Sequence, residues 1–131
     1  MEDYSEIKGH RGDTIGGDKK EKIKASDLLI NRAVLVVVSE NYFGMSFVID
    51  KKSTLMGRDK NADIVINDPL VSHNHCIIEY DFENRFYIED LDSKNSTFLN
   101  KKKIKKKSVL LYGDRIVIGN TILRFFLEEK I

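Results

Sequence analysis

Ile116-Val117-Ile118-Gly119-Asn120-Thr121-Ile122-Leu123-Arg124-Phe125-Phe126-Leu127 sets two apolar, strand-forming runs on either side of a two-residue Gly-Asn step. That arrangement predicts a tight β-hairpin, because both residues tolerate the left-handed backbone that such turns demand. Moving outward, the same texture repeats. Short apolar blocks occupy 34–38, 47–49, 54–56, 64–66, 76–80, 86–88, 97–99 and 109–111, and none is long enough for a helix of three turns. Turn formers separate them: Asn67-Asp68-Pro69, Asp92-Ser93 and Tyr112-Gly113-Asp114. Within 76–80, Cys76, Ile78 and Tyr80 alternate with Ile77 and Glu79, the period of a strand with one buried face. Many short strands at close spacing predict an all-β sandwich or barrel.

The chain has 131 residues with 41% hydrophobic content, enough for one domain with a core. Residues 1–29 hold four of the eight glycines, both signs of charge and few large apolar groups. They read as a flexible tail ahead of a domain over 30–131. Twenty-two basic against twenty-one acidic side chains leave a net charge of +1, so no global field draws the protein to nucleic acid or an anionic membrane. Anion binding must then be local. The longest apolar run, 33–38, is six residues, far short of a membrane span. Cys76 is the single cysteine, which excludes an intrachain disulfide and, by its alternation with core positions, reads as a packing residue. The acidic start Met1-Glu2-Asp3-Tyr4 lacks the basic and then apolar pattern of a signal peptide, so the expected location is cytoplasmic.

Three polar signatures interrupt the apolar blocks: Gly57-Arg58, Ser72-His73-Asn74-His75 and Asn95-Ser96-Thr97-Phe98-Leu99-Asn100. Arginine offers a planar fork of donors that matches phosphate, and serine hydroxyl and asparagine amide add neutral donors. No general base is paired to a nucleophile, which favours recognition over catalysis. Ser72 adjoins His73 without a nucleophile elbow, and adjacent residues rarely give in-line geometry. His73 and His75 lack the further ligands that a metal site needs, so neither metal nor cofactor is expected. Lys101 to Lys107 include six lysines, but no aromatic residue interleaves with them; a solvated hairpin is the preferred reading over a nucleic-acid surface.

With these landmarks in order, residues 33–127 resemble a forkhead-associated (FHA) domain. The resemblance rests on Leu55-Met56-Gly57-Arg58, Ala62-Asp63-Ile64-Val65-Ile66, Asp68-Pro69, Val71-Ser72 with His75, Asp90-Leu91-Asp92-Ser93-Lys94-Asn95, Thr97, Asn100, Gly113-Asp114-Arg115-Ile116 and Ile118-Gly119, with the core motifs inside 55–104. It implies a β-sandwich of eleven strands whose loops at one end bind phosphothreonine peptides without turnover. Carried over residue by residue, it implies that Arg58 ion-pairs with the phosphate, that Ser72 donates its hydroxyl, and that the Asn95 amide bonds the peptide main chain. His73 and Asn74 border the phosphate, unranked between them, and Lys94 adds a flexible cation. Gly57, His75, Thr97 and Asn100 are structural supports, Gly57 by letting the backbone before Arg58 turn tightly. Leu70 points to an apolar preference at the third residue after the phosphothreonine.

Two positions depart from the family pattern: His73 replaces a common arginine, and Ser96 stands where glycine is usual. Ser96 is the feature that favours an alternative, a phospho-independent assembly or input domain of a larger signalling protein such as a diguanylate cyclase. The expected partner on the main reading is a protein phosphorylated on threonine by a Ser/Thr kinase, with no nucleic acid and no membrane. Thr14 in the tail, once phosphorylated, is a second candidate ligand for the chain's own site or a neighbour's.

Overall fold

A computed structural model of the protein describes residues 32–81, 83 and 85–128. The tail expected over 1–29, with Thr14, lies outside them. The described chain is all-β: β1 (Arg32–Val37), β2 (Ser46–Ile49), β3 (Ser53–Gly57), β4 (Ile64–Val65), β5 (Cys76–Tyr80), β6 (Phe86–Asp90), β7 (Thr97–Leu99), β8 (Lys102–Lys103), β9 (Ser108–Leu110), β10 (Arg115–Ile118) and β11 (Thr121–Glu128). They form a six-stranded sheet in the order β2-β1-β11-β10-β7-β8 and a five-stranded sheet in the order β4-β3-β5-β6-β9. Only the β3–β4 pair is parallel. The eleven-stranded sandwich expected from the resemblance is therefore the fold.

Each apolar block became a strand because one of its faces had a partner to bury against. Along β1 the burial alternates strictly, with Ala33, Leu35 and Val37 wholly inside. The two sheets meet through Phe86 of β6 and Phe125 of β11, whose rings lie edge to face at 5.5 Å. Cys76 sits in this core at 0% exposure, and burial pushes its thiol up to about 12, which leaves it inert at neutral pH.

The β10–β11 hairpin turns through Gly119 and Asn120, with Ile118 paired to Thr121. Gly119 has φ +60, and a Cβ there would lie 3.0 Å from both the Asp68 carboxylate and the Val71 side chain. Glycine thus serves the turn and also the approach of the 68–71 segment against it.

The one strand absent from the apolar blocks is β8, two exposed lysines paired with Phe98 and Leu99. It exists because Asn100 and Lys101, at φ +50 and +75, make the two-residue turn that folds the chain back from β7. Asparagine accepts that backbone at little cost, and its side chain is held at both ends: Nδ2 donates to Asp114 at 2.8 Å and Oδ1 accepts the Arg115 N–H at 3.0 Å.

Candidate functional site

The β3–β4, β4–β5 and β6–β7 connections meet at one end of the sandwich, bringing together Arg58, Ser72 to Asn74 and Lys94-Asn95. Gly57 is the last residue of β3, and a Cβ on it would stand 2.0 Å from the His73 carbonyl oxygen. Its φ is not in the left-handed region, so the tight turn expected at Gly57 is not its role. Glycine is required because the backbone at 72–73 lies directly on it. Two main-chain bonds fix this approach, from Arg58 N–H to Ser72 O at 2.9 Å and from Asp59 N–H to His73 O at 3.1 Å.

Arg58 leaves the strand end exposed, and its Nε donates to the Val71 carbonyl at 2.8 Å. Among the described residues it pairs with no carboxylate, so the two terminal nitrogens of the guanidinium stay available. Ser72 is oriented through its acceptor side. Its Oγ takes the Lys94 N–H at 3.0 Å, which leaves the hydroxyl proton to donate outward. Asn95 is exposed and donates Nδ2 to the Leu70 carbonyl at 2.9 Å, leaving Oδ1 as an acceptor. His73, Asn74 and Lys94 are also exposed around this point.

His75 is buried completely behind these loops. Its Nδ1 accepts the Ser72 N–H at 3.0 Å, and its Nε2 donates to the Ser96 carbonyl at 2.9 Å. One ring therefore ties the β4–β5 loop to the β6–β7 loop. Both nitrogens are committed to backbone, so His75 is no base for the Ser72 hydroxyl. Ser96 does occupy a left-handed backbone, φ +69, a conformation that costs a non-glycine residue about 1–2 kcal/mol. The His75 bond to its carbonyl holds the loop in place against that cost.

Two carboxylates complete the scaffold, both of them landmarks of the resemblance to which sequence reasoning assigns no supporting role. Asp68 is 2% exposed and accepts the Leu70 N–H (2.9 Å), the Asn120 N–H (2.7 Å) and the Thr121 hydroxyl (2.8 Å), fastening the serine-bearing loop to the β10–β11 turn. Asp90 accepts the Ser93 N–H (3.0 Å), the Ser93 hydroxyl (2.6 Å) and the Thr97 hydroxyl (2.7 Å), which closes the loop that carries Lys94 and Asn95. Thr97 is wholly buried in doing so. The bond between Asp68 and Leu70, two residues on, is a local turn signature that the sequence could have disclosed. The link to Asn120 and Thr121 is not local. Asn100, expected with Thr97 as a structural support, braces the β7–β8 turn against Asp114 and Arg115.

Burial pushes the carboxyls of Asp68 and Asp90 up, but the hydrogen bonds just named outweigh it and hold both below their ordinary value of 3.8. A depressed folded pKa gives stability that is complete above the unfolded value and is lost as pH falls through the folded one. Resistance to urea is therefore expected to drop as pH is lowered below about 4. Asp68→Asn should be less stable at neutral pH and show a shallower acid loss; an unchanged acid slope in that variant would assign the effect to other carboxylates.

Among the described residues no group of three metal-ligating side chains occurs, and no helix is long and apolar enough to cross a membrane. Residues 54–119 match the family model for the FHA domain. The chain is 34% identical over 101 residues to an oxoglutarate dehydrogenase inhibitor of Corynebacterium efficiens, covering 77% of this chain and 70% of that protein. Among solved structures it is similar to the FHA domain of the CT664 protein of Chlamydia trachomatis, with a TM-score of 0.67, 33% identity and coverage of 76% of this chain and 99% of that one. It is also similar to Mycobacterium tuberculosis EmbR in complex with a low-affinity phosphopeptide, with a TM-score of 0.68 and 26% identity over 76% of this chain but 25% of that one.

Proposed function

We propose, because this chain belongs to the forkhead-associated (FHA) domain family, that it is a non-catalytic signalling module that binds phosphothreonine peptides. The observation that carries this reading is the pre-arranged donor set: an Arg58 guanidinium without a carboxylate partner among the described residues, next to a Ser72 hydroxyl whose acceptor side is already occupied. A phosphothreonine brings nearly two negative charges and three strong acceptor oxygens near neutral pH, which such a set complements. Arg58 and Ser72 take the phosphate, with His73, Asn74 and Lys94 bordering it. Asn95 receives the peptide main chain, for which its Oδ1 and second amide hydrogen remain open. Gly57, His75 and Thr97 hold the three loops in register and do not touch ligand, and Asn100 braces the neighbouring turn.

The partner is a cytoplasmic protein phosphorylated on threonine by a Ser/Thr kinase, and a phosphorylated Thr14 of the chain itself is a second source of the same ligand. Both nitrogens of His75 are held by backbone and leave Ser72 without that base, which supports a binding role. The match covers one quarter of EmbR, so a domain of this fold also stands inside a longer chain.

An NMR titration with matched phosphothreonine, phosphoserine and unphosphorylated peptides tests this. Resonances of residues 58, 72–74 and 94–95 are expected to move with the phosphothreonine form and not with the unphosphorylated one. A folded protein whose loops stay silent at millimolar phosphothreonine peptide would transfer the assignment to phospho-independent assembly.

A further inference from the structure

Beside the site, and sharing a wall with it, lies a second cleft of about 540 Å³. One wall is the β6–β7 loop at Ser93, Lys94 and Ser96, and the other is the end of β8 and the segment after it, at Lys103, Lys105 and Lys106. The wall is common to both sites because Lys94 gives its N–H to Ser72 and also lines the cleft. Ile104 is the only apolar residue of the lysine run and is 9% exposed, so the segment is anchored by its isoleucine and presents its lysines outward.

The lysines of this run are not equivalent. Lys107 is engaged, with Nζ 3.1 Å from Glu79 and 5.7 Å from the centre of the Tyr87 ring. Lys94, Lys103, Lys105 and Lys106 form no ion pair among the described residues, although Glu89, Asp90 and Asp92 border the same cleft. The Asp90 carboxylate is already committed to Ser93 and Thr97.

We propose that this cleft binds acidic side chains that flank the phosphothreonine, carboxylate or a second phosphate, and so selects peptides with an acidic cluster on one side. The inference rests on the phosphothreonine reading of the adjoining site. Four unpaired ammonium groups lie across a cleft that opens from the phosphate loop, so a ligand anchored at Arg58 delivers its neighbouring residues there at high effective concentration. A discrete carboxylate or phosphate in the cleft has Lys94 on one wall and Lys103, Lys105 and Lys106 on the other. A continuous polyanion fits poorly, because Glu89 and Asp92 interrupt the positive surface and no aromatic ring lines the cleft for base stacking.

The test uses three synthetic peptides with one phosphothreonine in a serine-alanine background: neutral flanks, three glutamates before it, or three glutamates after it. Their affinities are measured at low and high salt on wild type and on the triple variant Lys103→Gln, Lys105→Gln, Lys106→Gln, whose substitutions lie on exposed side chains. One acidic peptide is expected to bind wild type about tenfold tighter than the neutral one at low salt, the scale of several exposed ion pairs acting together. The triple variant should lose that gain and keep its affinity for the neutral peptide. An equal gain in both proteins, or no gain with either acidic peptide, overturns the cleft assignment while leaving the phosphothreonine site standing. Failure of wild type to bind even the neutral phosphothreonine peptide overturns both. Tight binding of a single-stranded oligonucleotide that survives Arg58→Ala and disappears in the triple variant would overturn the peptide assignment in favour of a nucleic-acid surface.

Discussion

Replacing Arg58 by alanine is expected to weaken phosphothreonine-peptide binding by at least about 100-fold, with the fold intact. Hydrogen bonds to a charged group contribute roughly 1.5–3 kcal/mol each, so two contacts to the phosphate amount to at least about 3 kcal/mol, and 1.4 kcal/mol is tenfold in affinity. The cost to the free protein is small. Arg58 is exposed, and its one side-chain bond goes to the Val71 carbonyl, which places it at the low end of that range, about 1.5 kcal/mol. Arg58→Lys should recover only part of the loss, because a point charge replaces a planar fork that engages two phosphate oxygens at once. Fluorescence anisotropy with one labelled phosphothreonine peptide decides the matter: an alanine variant that binds as tightly as wild type would remove Arg58 from the phosphate site.

Gly57→Ala should damage both stability and binding, although it adds only one methyl group. The new Cβ would meet the His73 carbonyl oxygen at 2.0 Å, its carbon at 2.8 Å and the Ser72 oxygen at 3.0 Å. These are main-chain atoms, which cannot rotate aside, and the bonds from Arg58 N–H and Asp59 N–H clamp them there. Relief requires moving the 72–73 backbone. Destabilisation of about 3 kcal/mol or more is expected, at the upper end of overpacking costs. Since the displaced segment carries Ser72 and His73, peptide affinity should fall as well. Gly44→Ala provides the contrast: φ there is +89, yet nothing lies within 4 Å of the added Cβ, so only the backbone penalty of about 1–2 kcal/mol applies. Urea denaturation of the two variants side by side measures the difference, and a Gly57→Ala protein no less stable than Gly44→Ala would mean that the strand end yields easily.

Much of this architecture was legible from the chain alone because strands advertise themselves locally. The alternation of Cys76, Ile78 and Tyr80, the short apolar blocks and the Gly119-Asn120 step each depend on neighbours a few residues away. Strand β8 escaped notice for the complementary reason: its two lysines bury nothing, and it is held by a turn geometry at Asn100-Lys101 that composition does not reveal. Gly57 was assigned to support for the wrong cause, since a glycine at ordinary φ gives no sign in sequence of which backbone rests on it.

The sequence by itself determined the all-β class and which side-chain chemistries stand between the strands, because periodicity and side-chain type are written residue by residue. It also contained the ordered landmarks that resemble the FHA family. Only the tertiary structure decided how those residues act together: His75 reaching 21 residues along the chain to Ser96, Asp68 reaching 52 and 53 residues to Asn120 and Thr121, and Lys94 bonding Ser72 while lining a cleft with three other lysines. Such contacts join residues that are distant along the chain and become neighbours only when the pairing of two sheets brings their loops to the same end of the sandwich.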